Sequence, residues 1–400
     1  MDEDEGNGSG FDHLADDLVI EILRRIPAEQ LWWRCRPLCR RWKALISSPS
    51  FADAHLRQSS PTFFVFNVRT EAQKTQKADF FYPRDDDAKR VFNGSLFRRW
   101  NRRTRSGQVV LPVASCNGLV LFKSFPSSRF HIGNPITGEL LTVMEPWREK
   151  TTYFCGFFFQ TSTQEYKVLV YHKTDSTENP FEYAIHTLGT GTTEWRSLRA
   201  LPYNVRCSDS QPVVLDNALY WMISNLSTTC ENSILMFSME SEEFRTMSHP
   251  TYPCKPGAWH QWIKLLEMDG RLTCWCLVGL MVQAWVFDVS DPDVEAHTHW
   301  TRIYVLDLTQ NFRSYMSHSV RDFHKLKVVS IQNRELILLW HGIGVFRYNL
   351  SRNTLRRIEL ERNDQFCNGG HPVLIPYTKT LVSLNNFNEQ VDSNFDRLRL

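Results

Sequence analysis

Apolar residues recur every three or four positions at the start of the chain and in short alternating runs through most of the rest. Within residues 11–31, Leu14, Leu18 and Ile22 fall on one line at i, i+4 and i+8, and Val19, Leu23 and Ile26 widen it to a broad face. That period is the signature of an amphipathic helix. Asp12 is its candidate N-cap. Asp16 and Asp17 complement the helix dipole at the start, and Arg24 and Arg25 complement it in the last turn. Pro27 ends the helix. A second short helix is predicted over 29–36, carrying Leu31, Trp32 and Trp33. A third is predicted over 37–47, opened by Pro37 and carrying Leu38, Trp42, Leu45 and Ile46. Ser47-Ser48-Pro49-Ser50 terminates it and leaves Phe51, Ala54 and Leu56 as a last apolar patch. A unit this small has a marginal core, so this much Leu, Ile and Trp should dock against something.

Beyond Pro61 the period changes. Apolar runs alternate with polar turns in TFFVFNV, GLVLFKS, EYKVLVYH, PVVLDNALYWMI, SILMFSM, LTCWCLV, QAWVFDV, RIYVLDL, LKVVSI, ELILLWH and GVFRYNL. No helix-length periodicity separates them, which argues for an antiparallel all-β architecture. A strand, a polar turn and a return through an aromatic or apolar anchor recur in FHIGNPITGELLTV, YAIHTLGTGTTEWRSL, ILMFSMESEEFRTM and VFRYNLSRNTLRRI. A looser copy is AWVFDVSDPDVEAHTHWTRI. The turn centres lie mostly ~50 residues apart, as in a β-propeller of four-stranded blades. An irregular β-sandwich with several similar hairpins is the alternative. Trp195, Trp221 and Trp300 recur at equivalent hairpin positions and read as blade anchors.

The chain thus divides into an acidic tail at 1–10 with nothing to bury, an all-α unit of three short helices at 11–57, a large all-β domain at 58–390 and a tail at 391–400. Composition sharpens this. Of 400 residues, 42% are hydrophobic and 13% aromatic, enough for a sizeable core rich in strand-forming side chains. With 46 basic and 44 acidic residues, the net charge of +2 excludes a broad electrostatic commitment to nucleic acid or anionic lipid. No apolar run reaches the ~18 residues of a membrane helix, and the acidic MDEDEGNGSG start is unlike a signal peptide. The expected location is the cytoplasm, the nucleus or both. In such a reducing compartment the ten cysteines read as small buried hydrophobes.

Candidate chemistry is sparse. Arg98, Arg99, Arg102, Arg103 and Arg105 surround Trp100 and could grip an acidic segment, serve as an import signal or form a solvated loop. Cys274 and Cys276 share one strand face, and His297 and His299 form a pair, but neither has the further ligands of a metal site. No nucleophile elbow, HExxH or phosphate-loop pattern occurs. No metal and no cofactor is expected.

Residues 11–51 resemble an F-box. The match runs in order through Phe11-Asp12-His13-Leu14-Ala15-Asp16-Asp17-Leu18, Glu21-Ile22-Leu23, Ile26-Pro27, Leu38-Cys39-Arg40-Arg41-Trp42 and Leu45-Ile46-Ser47-Ser48-Pro49-Ser50-Phe51. Ala15 replaces the usual proline, and Trp32-Trp33 replace smaller apolar residues. Residues of about 60–385 are similar to the F-box-associated, kelch-like region of plant F-box proteins. Its landmarks here are Ser115-Cys116-Asn117-Gly118-Leu119, Asn134-Pro135-Ile136-Thr137-Gly138, Tyr166-Lys167-Val168, Glu194-Trp195-Arg196 and Asn217-Ala218-Leu219-Tyr220-Trp221. The paired glycines of kelch repeats are missing.

These resemblances imply a non-catalytic substrate-recognition subunit of an SCF-type ubiquitin ligase. The F-box would dock on a Skp-family adaptor and, through it, on cullin and RING subunits. Candidate adaptor contacts are Leu14, Leu18, Ile22, Leu23, Ile26, Pro27, Leu31, Leu38, Trp42, Leu45 and Ile46. The β domain would recruit a protein substrate, with the arginine run as candidate contact. A ligand-regulated F-box protein, or an enzyme using the opening of the β domain, remains the alternative. Neither a membrane nor a nucleic acid is an expected partner.

Overall fold

The computed structural model describes residues 14–68, 77–81, 87–88, 109–125, 129–147, 149–190, 194–205, 211–224, 232–250, 263–288, 300–315, 326–360 and 371–387. The predicted tails at 1–10 and 391–400 lie outside them, as does Asp12.

Four helical segments open the chain, not three. They are α1 (Asp16–Leu23), α2 (Ala28–Gln30) running on through a π-helical turn at Leu31–Cys35, α3 (Arg40–Ile46) and α4 (Pro49–Gln58). Ala15 stands at the α1 N-cap without a side-chain bond. Arg41, reaching from α3, supplies the missing order there: its Nε donates to Asp16 Oδ1 at 2.8 Å and its Nη2 donates to Leu14 O. α1 stops at Leu23, so Arg24 is its C-cap and Arg25 lies beyond its last turn. The third helix starts at Arg40 rather than Pro37, because the Cys39 sulfur caps it, accepting from Trp42 N at 3.4 Å. Ser47-Ser48-Pro49-Ser50 ends one helix and begins the next. Ser48 Oγ accepts from Phe51 N at 3.3 Å, and Pro49 occupies a first-turn position where no N–H is required.

The β domain is a closed ring of sheets. The chain forms β1 (Pro61–Val68), β2 (Lys77–Phe81) and the two-residue β3 (Asp87–Ala88), then five antiparallel blades. Blade one contains β4 (Val109–Cys116), β5 (Leu119–Phe125), β6 (Arg129–Gly133) and β7 (Leu140–Met144). Blade two contains β8 (Tyr153–Gln160), β9 (Glu165–Lys173), β10 (Phe181–Thr187) and β11 (Arg196–Ser197). Blade three contains β12 (Val213–Leu215), β13 (Ala218–Met222), β14 (Ile234–Ser238) and β15 (Phe244–Met247). Blade four contains β16 (Ile263–Met268), β17 (Arg271–Val278), β18 (Met281–Phe287) and β19 (Trp300–Asp307). Blade five contains β20 (Leu326–Gln332), β21 (Glu335–Trp340), β22 (Gly344–Asn349) and β23 (Thr354–Leu360), with β3 added in parallel to β23.

The last strand, β24 (His371–Thr378), returns to pair with β1, giving a three-stranded sheet ordered β2-β1-β24. β24 packs beside both β4 and β20, so this sheet closes the circle between blades one and five. Closure gives each blade a neighbour on both faces, a radial arrangement that leaves only short, protected edges, and it rules out the open sandwich.

Each sequence repeat maps onto the third and fourth strands of one blade, from β6–β7 to β22–β23. A second periodic feature joins first and second strands. Asn117-Gly118, Asp216-Asn217, Asp269-Gly270 and Asn333-Arg334 all have positive φ, as two-residue hairpin turns require. The tryptophans bridge blades, though not from equivalent positions: Trp195 and Trp300 stand at the start of fourth strands, and Trp221 lies on the second strand β13. Trp195 Nε1 donates to Met144 O at 2.8 Å, Trp221 Nε1 to Cys155 O at 2.7 Å and Trp300 Nε1 to Ser248 O at 2.9 Å, each time bonding to the preceding blade. Cys274 and Cys276 are buried in one apolar cluster, where burial pushes the Cys276 thiol up to about 11.

Candidate functional site

The α1 stripe has two edges. Val19 and Leu23 point into a core completed by Ala28, Leu31, Ile46, Phe51 and Ala52. One residue earlier in each turn, about 100° round the helix, Leu18 and Ile22 point outward and are 56% and 45% exposed. Trp33 and Leu38 join them at 49% and 69%. The candidate adaptor contacts therefore separate. Leu18, Ile22, Pro27 and Leu38 are exposed, while Leu14, Ile26, Trp42 and Leu45 are half-buried. Leu23, Leu31 and Ile46 are enclosed and are no part of the surface, because the broad stripe must also supply the helical core. Trp33 was absent from the candidates although its exposed ring lies in the same region of the chain; its place in the irregular π-helical turn hides it from a 3.6-residue pattern.

The helical unit is seated on the ring. Ile136, from the turn between β6 and β7, and Leu381, just after β24, belong to the same apolar cluster as Val19 and Leu23. Lys379 Nζ bonds Glu29 Oε1 at 2.6 Å, with side-chain exposures of only 6% and 16%. Burial pulls the Lys379 ammonium below its ordinary pKa, and Glu29 opposes that shift. His55 Nε2 lies 2.9 Å from Ile26 O, tying α4 to the end of α1.

Two sequence landmarks hold the segment after β24 in place. The buried Asn134 caps its own turn through Oδ1, accepting from Ile136 N at 2.8 Å. Its Nδ2 donates to Thr380 O at 3.2 Å and Val382 O at 2.7 Å. Glu139 accepts from Leu384 N at 2.6 Å and Ser383 Oγ at 3.0 Å. At Gly118 an added Cβ would stand 2.3 Å from Thr378 O, and φ is +76°, so this position needs glycine on both counts. These contacts were illegible beforehand, since Glu29 and Lys379 are 350 residues apart.

The same contacts orient the ring. β4 ends beside Gly118 and β24 ends at Thr378, so the first strand of each blade runs toward the helices. Turns between strands one and two and between three and four lie on the helical side. The other connections open on the far face, where β4 begins at Val109. The run Arg98, Arg99, Arg102, Arg103 and Arg105 lies outside the described residues, as do His297 and His299. Among the described residues no cluster of three or more His, Cys, Asp or Glu side chains could hold a metal ion, and no helix is long and apolar enough to cross a membrane.

Comparison with known proteins agrees with both halves of this architecture. Residues 61–380 match the family model of the F-box associated beta propeller domain, and residues 11–53 match that of the F-box domain. The chain belongs to the F-box-associated β-propeller family. It is similar to the putative F-box protein At1g33530 of Arabidopsis thaliana, 26% identical over 72% of this chain and 61% of that relative, so it spans about three fifths of that protein's length. It is also similar to two further Arabidopsis thaliana proteins. F-box protein DOR is 23% identical over 89% of this chain and 90% of its own length. The putative F-box protein At3g21120 is 25% identical over 93% and 99%.

Proposed function

We propose that this protein is the substrate-recognition subunit of an SCF-type ubiquitin ligase, in the cytoplasm or nucleus, and is not itself a catalyst. Its helical unit docks on a Skp-family adaptor, which links it to cullin and RING subunits, and its β ring recruits the protein to be ubiquitinated. The observation that carries this reading is that Leu18, Ile22, Trp33 and Leu38 are exposed on a unit whose apolar core is already seated on the ring. Exposed apolar side chains of this size mark a protein contact. The contribution to ubiquitin transfer is proximity, which raises the effective concentration of the substrate at the ligase. The far face, from which β4 starts, is the proposed substrate side, and the arginine run that precedes β4 is the proposed grip on an acidic segment.

The double change Leu18→Glu, Ile22→Glu tests the adaptor contact. Both side chains are exposed, so thermal unfolding should stay within about 1 kcal/mol of wild type. Adaptor affinity should fall by at least about a hundredfold, since two central contacts of a few kcal/mol each are lost. Equal co-purification of the folded variant with a Skp-type adaptor would refute the contact. Replacing Arg98, Arg99, Arg102 and Arg103 by Ser should weaken capture of an acidic partner most at low salt.

A further inference from the structure

The connection from β7 to β8 joins blades one and two on the far face, and it is held from both sides. From blade one, the buried Lys123 pairs with Glu145 at 3.3 Å and donates to Thr152 O, so one ammonium grips both ends of the connection. From blade two, the buried His172 on β9 meets its middle. The Trp147 ring lies against His172 with centroids 4.0 Å apart, and Lys150 Nζ stands 3.1 Å from His172 Nε2. Glu182, directly opposite His172 in the β9–β10 ladder, brings Oε2 to 3.7 Å from the same Nε2. One ring nitrogen thus faces an ammonium and a carboxylate. Glu149 and Lys173, the chain neighbours of Lys150 and His172, are exposed.

The protonation state of His172 chooses between these two partners. An ammonium has donors and no acceptor, so Lys150 can bond Nε2 only while that nitrogen keeps its lone pair. A protonated ring repels Lys150 and offers Nε2–H to Glu182, whose Oε1 accepts from Ser197 Oγ at 3.2 Å. Trp147 suits either state, since an aromatic face also attracts a cation. Among the described residues, Lys150 and Glu182 are the charged groups acting on the ring. Burial and Lys150 pull its pKa below the ordinary 6.5, and Glu182 opposes them. We propose that His172 is a proton-operated switch between blades one and two: neutral, it holds Lys150 against β9, and protonated, it exchanges Lys150 for Glu182 and frees that lysine on the far face. The proton comes from solvent, and no bond other than the new N–H is made. The switch goes beyond the ligase reading and does not depend on it.

Side-chain NMR of the full chain, with labelled histidine and lysine, tests this from neutral pH down to the onset of acid unfolding. The His172 signal is assigned by its loss in His172→Gln, and the Lys150 signal by its loss in Lys150→Met. His172 should titrate in the folded chain at a lower pH than an ordinary histidine, and the Lys150 signal should move with the same midpoint. Lys150→Met should raise the proton affinity of His172 about threefold or more, and Glu182→Gln should lower it by a similar factor. Neither variant touches an enclosed side chain, so the fold should stay intact. A His172 that stays neutral until the chain unfolds, a Lys150 signal that ignores its titration, or an unchanged proton affinity in both variants overturns the proposal. Adaptor capture, measured on the same samples, reports separately on the ligase reading.

Discussion

In the helical unit Leu18, Ile22, Trp33 and Leu38 stand in solvent, whereas in the β ring Trp275, Trp340, Phe122, Phe130 and Phe158 are fully enclosed. Among the described residues, the large apolar side chains that the ring exposes, Met144, Tyr153, Val214, Met281 and Val305, are spread over four blades. Scattered single residues of that kind are ordinary. The contrast separates two kinds of legibility. A unit too small to bury its own stripe leaves part of its apolar pattern open to solvent. A ring that closes on itself spends its pattern on packing, and its loops follow no period.

The largest effect should come from breaking closure. Ending the chain before His371 removes β24, which joins β1 to blade one and leads into the segment under the helices. We expect loss of the cooperative thermal transition of the whole β domain, read by circular dichroism and limited proteolysis. A shortened chain with a sharp, near-native transition would mean that the blades are stable individually. Lys379→Met is next. It strands the largely buried Glu29 carboxylate and should cost about 3–5 kcal/mol. Adding Glu29→Gln should recover much of that in chemical denaturation.

The two edges of α1 can then be compared directly. Leu23→Ala empties a fully buried site and should cost about 2–5 kcal/mol, while Leu18→Ala should cost under about 0.5 kcal/mol yet weaken adaptor binding. Equal destabilisation by both would erase the distinction between core edge and contact edge. A smaller effect concerns acid. In the ring, burial, aided by Arg129, holds His131 down to about 4 against an ordinary 6.5. Between those values the unfolded chain binds the proton and the folded chain does not. Stability should therefore fall as pH drops from about 6.5 toward 4, by a few kcal/mol at most. His131→Gln should flatten that part of the stability–pH profile relative to wild type.

Much of the architecture was readable because it repeats. Five copies of a strand-turn-strand pattern located the outer half of every blade, and α1 announced itself by its stripe. The failures have local causes. Ser48-Pro49 carries both a stop and a start signal, and only the start builds α4. Pro37 suits a first helical position, but the free cap at Cys39 sets the true beginning of α3. β24 escaped because HPVLIPYT contains two prolines. Its pairing shows why they are tolerated: β24 bonds only to β1, so the alternate positions Pro372 and Pro376 can both turn their missing N–H away from the ladder. The exposure of the candidate contacts was half legible for a related reason. Periodicity reports that a residue is on the apolar stripe, but which edge of the stripe meets the core depends on Ile136 and Leu381, far along the chain.

The closing sheet also sets an order of events during synthesis. β1 has no β24 to pair with until all five blades have been made. The helical unit waits as well, since Leu381 completes its core and Lys379 neutralises Glu29 across 350 residues. Contacts so distant in sequence form late and slowly. A chain cut short by premature termination would therefore carry the α1 stripe without its ring-side support, and the helical unit would be the first part to lose definition. The fold in this way makes the exposed apolar edge of α1 a late product, well formed only when the ring behind it is complete.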